Sequence, residues 1–284
     1  MKKAASFALG CKVNQYESEA IAELFAEKGY EIVGIDEEAD VYVINTCTVT
    51  NFGDKKSRQL IRKVKRQNEN AIVAVVGCYA QTAPKELMEI AGVNLVIGTK
   101  DRAQIVEMVE QYDRANGVEN HVSDIMKERV FEPLSIQKLA NRTRAYLKIQ
   151  DGCSQYCSYC IIPYARGPIR SREPQEVVAE VKRLAENGFK EVVLTGIHVA
   201  SYGKDRRDTS LLDILKQVHE VEGIERIRFS SIEPNVVTEE FAQTMAALPK
   251  VCDHFHLSLQ SGCDETLERM NRRYRSGEYR ERCE

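Results

Sequence analysis

The sequence has no apolar run long enough to cross a membrane. Its longest nearly apolar stretch, residues 71–80, is about half the ~20 residues that a spanning helix needs. The opening Met1-Lys2-Lys3 is followed by a short apolar run, residues 4–9, too brief for a signal peptide. A strong excess of one charge is missing too. Forty Lys and Arg against 43 Asp and Glu give a formal net charge of -3, which excludes a wholly basic nucleic-acid binder. Any RNA contact must come from local basic patches. Cysteine, by contrast, is plentiful. Nine of them, an odd number without a secretion signal, fit reduced thiols or metal ligands in a cytoplasmic protein better than disulfides. With 43% hydrophobic and 29% charged residues in 284, the chain is expected to form two ordinary globular domains.

Three of the cysteines, Cys153, Cys157 and Cys160, fall within eight residues as C-x3-C-x2-C, with Tyr159 directly before the last. Thiolate sulfur selects zinc, Cu(I) or iron–sulfur clusters. A structural zinc site takes four protein ligands, usually as two separated pairs, and the next Cys or His in this chain is His198. Three ligands on a four-iron cluster leave one iron open to a small molecule. The spacing also departs from the bacterial ferredoxin run. A zinc site, or a chance spacing, is the alternative.

In the first half, apolar strands are expected at residues 4–9, 41–45, 72–76 and 94–97, alternating with helices at 16–28, 52–67, 82–91 and 102–112. That order predicts a doubly wound parallel sheet over residues 1–113. Cys11, Cys47 and Cys78 each fall one or two residues past a strand, and ligands bind outside the carboxyl ends of strands in such sheets. Three cysteines in register favour a ligand set, although each alone could be a small buried hydrophobe. Lys55, Lys56, Arg58, Arg62, Lys63, Lys65 and Arg66 crowd the second helix. They form either a phosphate footprint for RNA or a solvated helix face, and no aromatic residue is interleaved to stack a base.

Residues 114–141 lose clean periodicity and are expected to be a linker, with a short helix near 136–140. In residues 142–284, strands at 144–150, 191–194, 226–229 and 254–259 alternate with helices, the last capped by Asp264. Four βα units in a row open a β/α barrel, which places chemistry at the carboxyl ends of its strands. Arg166, Arg170 and Arg172 follow the cysteine loop, as contacts for RNA or a carboxylate or as solvated turn residues. His198 fits a general base or a hydrogen-bonded structural histidine. Cys252, Cys263 and Cys283 suggest no chemistry.

The cysteine loop resembles the radical S-adenosylmethionine (SAM) superfamily. With Gly10-Cys11-Lys12-Val13-Asn14-Gln15-Tyr16-Glu17-Ser18, Asn45-Thr46-Cys47 and Gly77-Cys78-Tyr79-Ala80-Gln81, the resemblance narrows to the radical SAM methylthiotransferases. The wording of residues 12–18 is most similar to the branch acting on N6-threonylcarbamoyladenosine in tRNA. Other branches act on isopentenyladenosine in tRNA or on a ribosomal protein. The resemblance implies two [4Fe-4S] clusters, one on Cys153, Cys157 and Cys160 and one on Cys11, Cys47 and Cys78. The first would bind and reductively cleave SAM; the second would supply sulfur for C2 of the adenine beside the anticodon, with a second SAM giving the methyl group. Tyr159, Thr195, Gly196, Ser231, Glu233 and Gln260 match positions around SAM. A small reductant such as a flavodoxin or ferredoxin is implied as electron donor, tRNA as substrate, and a cytoplasmic monomer as the form. The family pattern also has two more βα units and an RNA-binding β-barrel, so the sequence is expected to be a carboxy-terminally truncated, partial barrel. The rivals are an inert remnant and a zinc-bearing RNA-binding module.

Overall fold

The computed structural model describes residues 1–48, 51–136 and 144–284, with side chains at all of these except 51–54. The short helix expected near 136–140 lies outside the described residues. Two compact units are present: Met1–Ile136 with Tyr164–Gly167, and Gln137–Pro163 with Pro168–Glu284.

The first unit is built on six parallel strands, β1 (Lys3–Ala8), β2 (Glu31–Ile32), β3 (Val41–Thr46), β4 (Ile72–Gly77), β5 (Leu95–Ile97) and β6 (Glu119–Asn120), in the order β2-β1-β3-β4-β5-β6. Helices α1 (Lys12–Glu27), α2 (Asn51–Gln67), α3 (Cys78–Thr82), α4 (Pro84–Met88) and α5 (Ile105–Gln111) connect them. The helix α6 (Ile162–Arg166) ends in the separate segment of this unit. Strand β3 shows why the sheet is covered on both faces. Tyr42 and Ile44 pack with Ile61 and Val64 of α2, whereas Val41 and Val43 pack with Ile21 and Phe25 of α1. Such strands read as continuous apolar runs, and that is how they showed in the sequence. The strand order reverses between β1 and β3, which makes their carboxyl ends the topological switch point.

Residues 114–136 are not a linker. They belong to the first unit; β6 pairs with β5 through Leu95 and Glu119, and Ile125, Leu134 and Ile136 are buried. A two-residue strand is too short to leave a periodic signature. Helix α1 also starts at Lys12 instead of 16, because its first two turns bury Asn14, Glu17 and Ser18 along with Val13 and Tyr16. Polar residues on the inner face hid its beginning.

The second unit has β7 (Arg144–Asp151), β8 (Arg170–Ser171), β9 (Glu191–Gly196) and β10 (Arg226–Phe229), ordered β10-β9-β7-β8. Strands β7, β9 and β10 are parallel and β8 is antiparallel to β7. Around this curled part-barrel lie α7 (Pro174–Glu186), α8 (Leu211–His219), α9 (Glu239–Ala246), α10 (Asp264–Arg269) and α11 (Ser276–Cys283). Ser210 and Thr238 cap α8 and α9 by accepting from the Asp213 and Phe241 amides. Asp264 does not cap α10; its carboxylate accepts from the Ser276 amide at the start of α11.

The fourth strand expected at 254–259 is reduced to one isolated bridge, Ile232 with Leu257, and a second bridge, Ile227 with Val251, falls just before it. The His254 amide turns back onto the Cys252 carbonyl at 2.7 Å, which takes it out of the ladder. Phe255 is held instead by Phe229 and Phe241, at ring separations of 5.5 and 6.1 Å. No helix among the described residues is long and apolar enough to cross a membrane.

Candidate metal centres

Strand register puts the first three cysteines at one edge. Ala8 pairs with Asn45, Asn45 with Val76 and Thr46 with Gly77, so Cys11, Cys47 and Cys78 follow the ends of three adjacent strands. Gly10 adopts φ +103, and a Cβ there would lie 2.7 Å from Cys47 Cβ and 2.8 Å from its Sγ. Only glycine permits that approach. Asn14 ties the edge together, because its amide nitrogen donates to the Leu9 and Thr46 carbonyls at 2.8 and 2.9 Å. Its Oδ1 lies 3.7 Å from Cys11 Sγ.

Arg166 is not a solvated turn residue. It is buried in the first unit, where Nε donates to Cys78 Sγ at 3.1 Å and Nη2 to Asn14 Oδ1 at 2.6 Å. Its fork also grips both oxygens of Glu17, at 2.5 and 3.1 Å. Glu17 in turn accepts Arg102 at 2.6 Å, and Arg102 pairs with Glu132. Burial pushes the Cys78 thiol up from its usual range, while Arg166 pulls against that shift.

In the second unit, Asp151 closes β7 and orders the loop that follows. It pairs with buried Lys148 at 2.6 Å and lies 3.6 Å from Arg170. The loop carrying Cys153, Cys157 and Cys160 is clamped by the chain after α10. Asn271 Nδ2 donates to the Gln155 and Tyr156 carbonyls at 3.3 and 3.0 Å, and Ser158 Oγ donates to the Arg269 carbonyl at 2.8 Å. Arg272 donates to Cys157 Sγ at 3.2 Å and pairs with Glu233 at 2.6 Å. Burial raises the Cys153 thiol to about 11 and raises Cys160 as well. It also works to raise Glu233, but the His198 contact and then Arg272 outweigh it and hold that carboxyl below its ordinary value.

The remaining candidate residues are placed unevenly. Glu233 is buried and 3.3 Å from His198 Nε2. Thr195 is buried in β9, and Gly196 packs against Gln150, whose Oε1 accepts from the His198 amide at 2.7 Å. Tyr159 is 52% exposed. Ser231 and Gln260 are exposed, Ser231 touching His256 and Gln260 adopting φ 65. Arg170 and Arg172 are buried, Arg172 pairing with Glu180 at 2.6 Å, so the basic loop offers no free cationic face. The basic face of α2 is different. Lys56, Arg62, Lys63 and Arg66, with Leu9 and Leu60, line a cavity of about 630 Å³ whose wall includes Phe7, 36% exposed. Strand β1 thus supplies the aromatic ring that the helix sequence lacks.

The uncharacterized protein family UPF0004 matches residues 3–98, and the radical SAM superfamily matches residues 147–284. The threonylcarbamoyladenosine tRNA methylthiotransferase MtaB of Aquifex aeolicus is 42% identical, covering 98% of this chain and 68% of its own length. This chain belongs to the radical SAM methylthiotransferase family. MtaB of Bacillus subtilis is 50% identical over 96% of this chain; the chain spans 61% of that relative's length. A tRNA-2-methylthio-N(6)-dimethylallyladenosine synthase of Dictyoglomus thermophilum is 36% identical over 95% of the chain and 62% of its own length. The solved radical SAM methyltransferase TsrM of Kitasatospora setae shares the fold, with TM-score 0.65 and 17% identity over 98% of this chain and 64% of its own.

Membership in a radical SAM family brings SAM and iron–sulfur chemistry, and the second unit's donors suit both. Its three thiols lie on one loop, and beside them the buried Nε of Arg272 has no hydrogen-bond partner among the described residues, which leaves a donor for a further acceptor. The first unit also offers only thiols, one of them fully desolvated against a guanidinium. Among the described residues no three Cys, His, Asp or Glu close on a single metal ion. A four-iron cluster asks less, since each thiolate binds a different iron.

Proposed function

We propose that this protein is a tRNA methylthiotransferase that modifies C2 of N6-threonylcarbamoyladenosine beside the anticodon, using two [4Fe-4S] clusters and SAM. The identity with MtaB relatives across nearly the whole chain supports the substrate branch. A three-cysteine set in each unit, each with an arginine on one sulfur, carries the two-cluster reading. When bound, these groups supply one-electron cleavage of SAM and the transferred sulfur. The chain's own work is holding and shielding. Cys153, Cys157 and Cys160 would hold one cluster and Cys11, Cys47 and Cys78 the other. Glu233, fixed by Arg272 and His198, presents a carboxylate for a cationic amine, and Tyr159, Thr195, Gly196, Ser231 and Gln260 complete the SAM surroundings. The domains in this reading are 1–136 with the returning segment, and the partial barrel. Electrons come from a flavodoxin or ferredoxin, and the protein works as a cytoplasmic monomer.

Nucleoside analysis of tRNA from a host lacking the modification, supplied with this protein, tests the substrate. Methylthiolation of isopentenyladenosine, or of a ribosomal protein, would reject the branch and keep the family. The cavity beside α2 is the RNA contact in this reading, with phosphates on Arg62 and Arg66 and a base on Phe7. Arg62→Glu with Arg66→Glu is expected to weaken binding of a tRNA transcript at least ~10-fold and to flatten the salt slope by about 2. Equal affinity and slope in a filter-binding titration would remove this surface from the interface. Gly10→Ala should lower iron retention, because its Cβ would displace Cys47. Iron per chain after anaerobic reconstitution is expected to fall toward the share held by the second unit, with far-UV circular dichroism unchanged.

A further inference from the structure

We infer that Arg166 sets the reduction potential of the centre on Cys11, Cys47 and Cys78, through its hydrogen bond to the Cys78 sulfur. The inference rests on the two-cluster reading. Three observations lead to it. Arg166 is fully buried, so its charge is not dissipated into water. Its guanidinium cannot drift, because Glu17 holds it bidentately and Asn14 Oδ1 takes another N–H. Asn14 is itself fixed by the Leu9 and Thr46 carbonyls. Held so, its Nε–H donates to Cys78 Sγ at 3.1 Å.

The segment that delivers Arg166 is seated as firmly as the side chain. Thr99 Oγ1 donates to the Ala165 carbonyl at 2.7 Å. Gly167 adopts φ +68, where an added Cβ would lie 2.4 Å from the Ile125 carbonyl oxygen. The charges around the guanidinium already balance, with Arg166 and Arg102 set against Glu17 and Glu132. Three thiolates outweigh the charge of an oxidised four-iron core, so a bound centre adds net negative charge to a neutral pocket. One more electron makes it more negative. Hydrogen bonds to cluster sulfurs and low solvent exposure are among the factors that set such potentials. A fixed cation on a ligand sulfur favours the reduced state, and a neutral side chain there disfavours it.

The test uses the full chain with Cys153, Cys157 and Cys160 changed to Ala, so that only one centre contributes to the spectrum. After anaerobic reconstitution the centre is titrated with dithionite and followed by electron paramagnetic resonance, in this parent and with Arg166→Gln or Arg166→Lys added. In Arg166→Gln the ratio of reduced to oxidised centre at a fixed potential is expected to fall at least ~10-fold, about 59 mV for a one-electron couple. Arg166→Lys keeps the charge that Glu17 needs and loses the fork, and should fall between the two. Midpoints in both variants equal to the parent's would overturn the inference. If Arg166→Gln holds no cluster, the Lys variant decides alone, and an unchanged midpoint there overturns it. A parent that binds no iron although Arg166 is present would overturn the two-cluster reading and the inference with it. A purely structural role for Arg166 changes cluster yield and leaves the midpoint where it was.

Discussion

Changing Cys153, Cys157 and Cys160 to Ala is expected to remove about half of the iron bound after reconstitution and to abolish SAM cleavage. The loop carries its three thiols in a frame set from outside, by Asn271 on the Gln155 and Tyr156 carbonyls and by Ser158 on the Arg269 carbonyl. Removing the thiols therefore takes away ligands and leaves the frame standing. Burial holds the Cys153 proton to about 11, so metal must displace it, and loading should weaken as pH falls because protons compete for the same sulfur. The first unit's cysteines take no part in this loop and should keep their share. Iron and sulfide analysis with a 5′-deoxyadenosine assay measures both effects. Loss of all the iron, or of none, would show that the two sets are not separate sites.

Arg102→Met should cost the first unit about 3–5 kcal/mol, the usual penalty for stripping one partner from a buried ion pair. Arg102 is fully buried between Glu17 and Glu132, and its backbone N–H also donates to Glu132. Without its guanidinium Glu132 keeps only the backbone N–H of residue 102, and Glu17 keeps Arg166. At about 3 °C per kcal/mol for a unit of this size, the first unit's melting transition should drop by roughly 10–15 °C. Lys63→Met is the control. Its pairing with Asp36 lies on the surface, where such pairs contribute at most about 1 kcal/mol. A fall for Arg102→Met no larger than the control's would mean that the buried network contributes little to stability.

The strands of the first unit were legible because they are covered on both faces, so β3 and β4 stand out as apolar runs. The shared edge of the cysteines was legible because each follows the end of such a strand. What the sequence concealed was charge with a buried address. Arg166, Arg170 and Arg172 look like surface residues in any composition count, and their acceptors, Glu17, Asp151 and Glu180, are distant or ambiguous in sequence. One signal was available. Asn14 and Glu17 follow Cys11 at steps of three, which puts all three near one helix face, and polar residues on the face shared with Val13 and Tyr16 call for a buried partner. Arg272 had no comparable sign, since it sits in a run of charge after α10. The fourth barrel strand was misjudged because an apolar alternation cannot show that the His254 amide folds back on its own chain.

The first unit closes only with a segment that arrives late in the chain. A fragment ending at Ile136 would carry every strand of the six-stranded sheet and all of Cys11, Cys47 and Cys78. It would still lack Arg166, one of the two cations on Glu17 and the donor to Cys78, and the carbonyl that Thr99 donates to. During synthesis, the ribosome must pass Gly167 before this pocket can be sealed, by which point the second cysteine loop has also been made. Dissecting the protein at the obvious break therefore yields a domain with a gap beside Cys78 at its own cysteine edge, and iron binding measured on such a fragment is expected to fall below that of the intact chain.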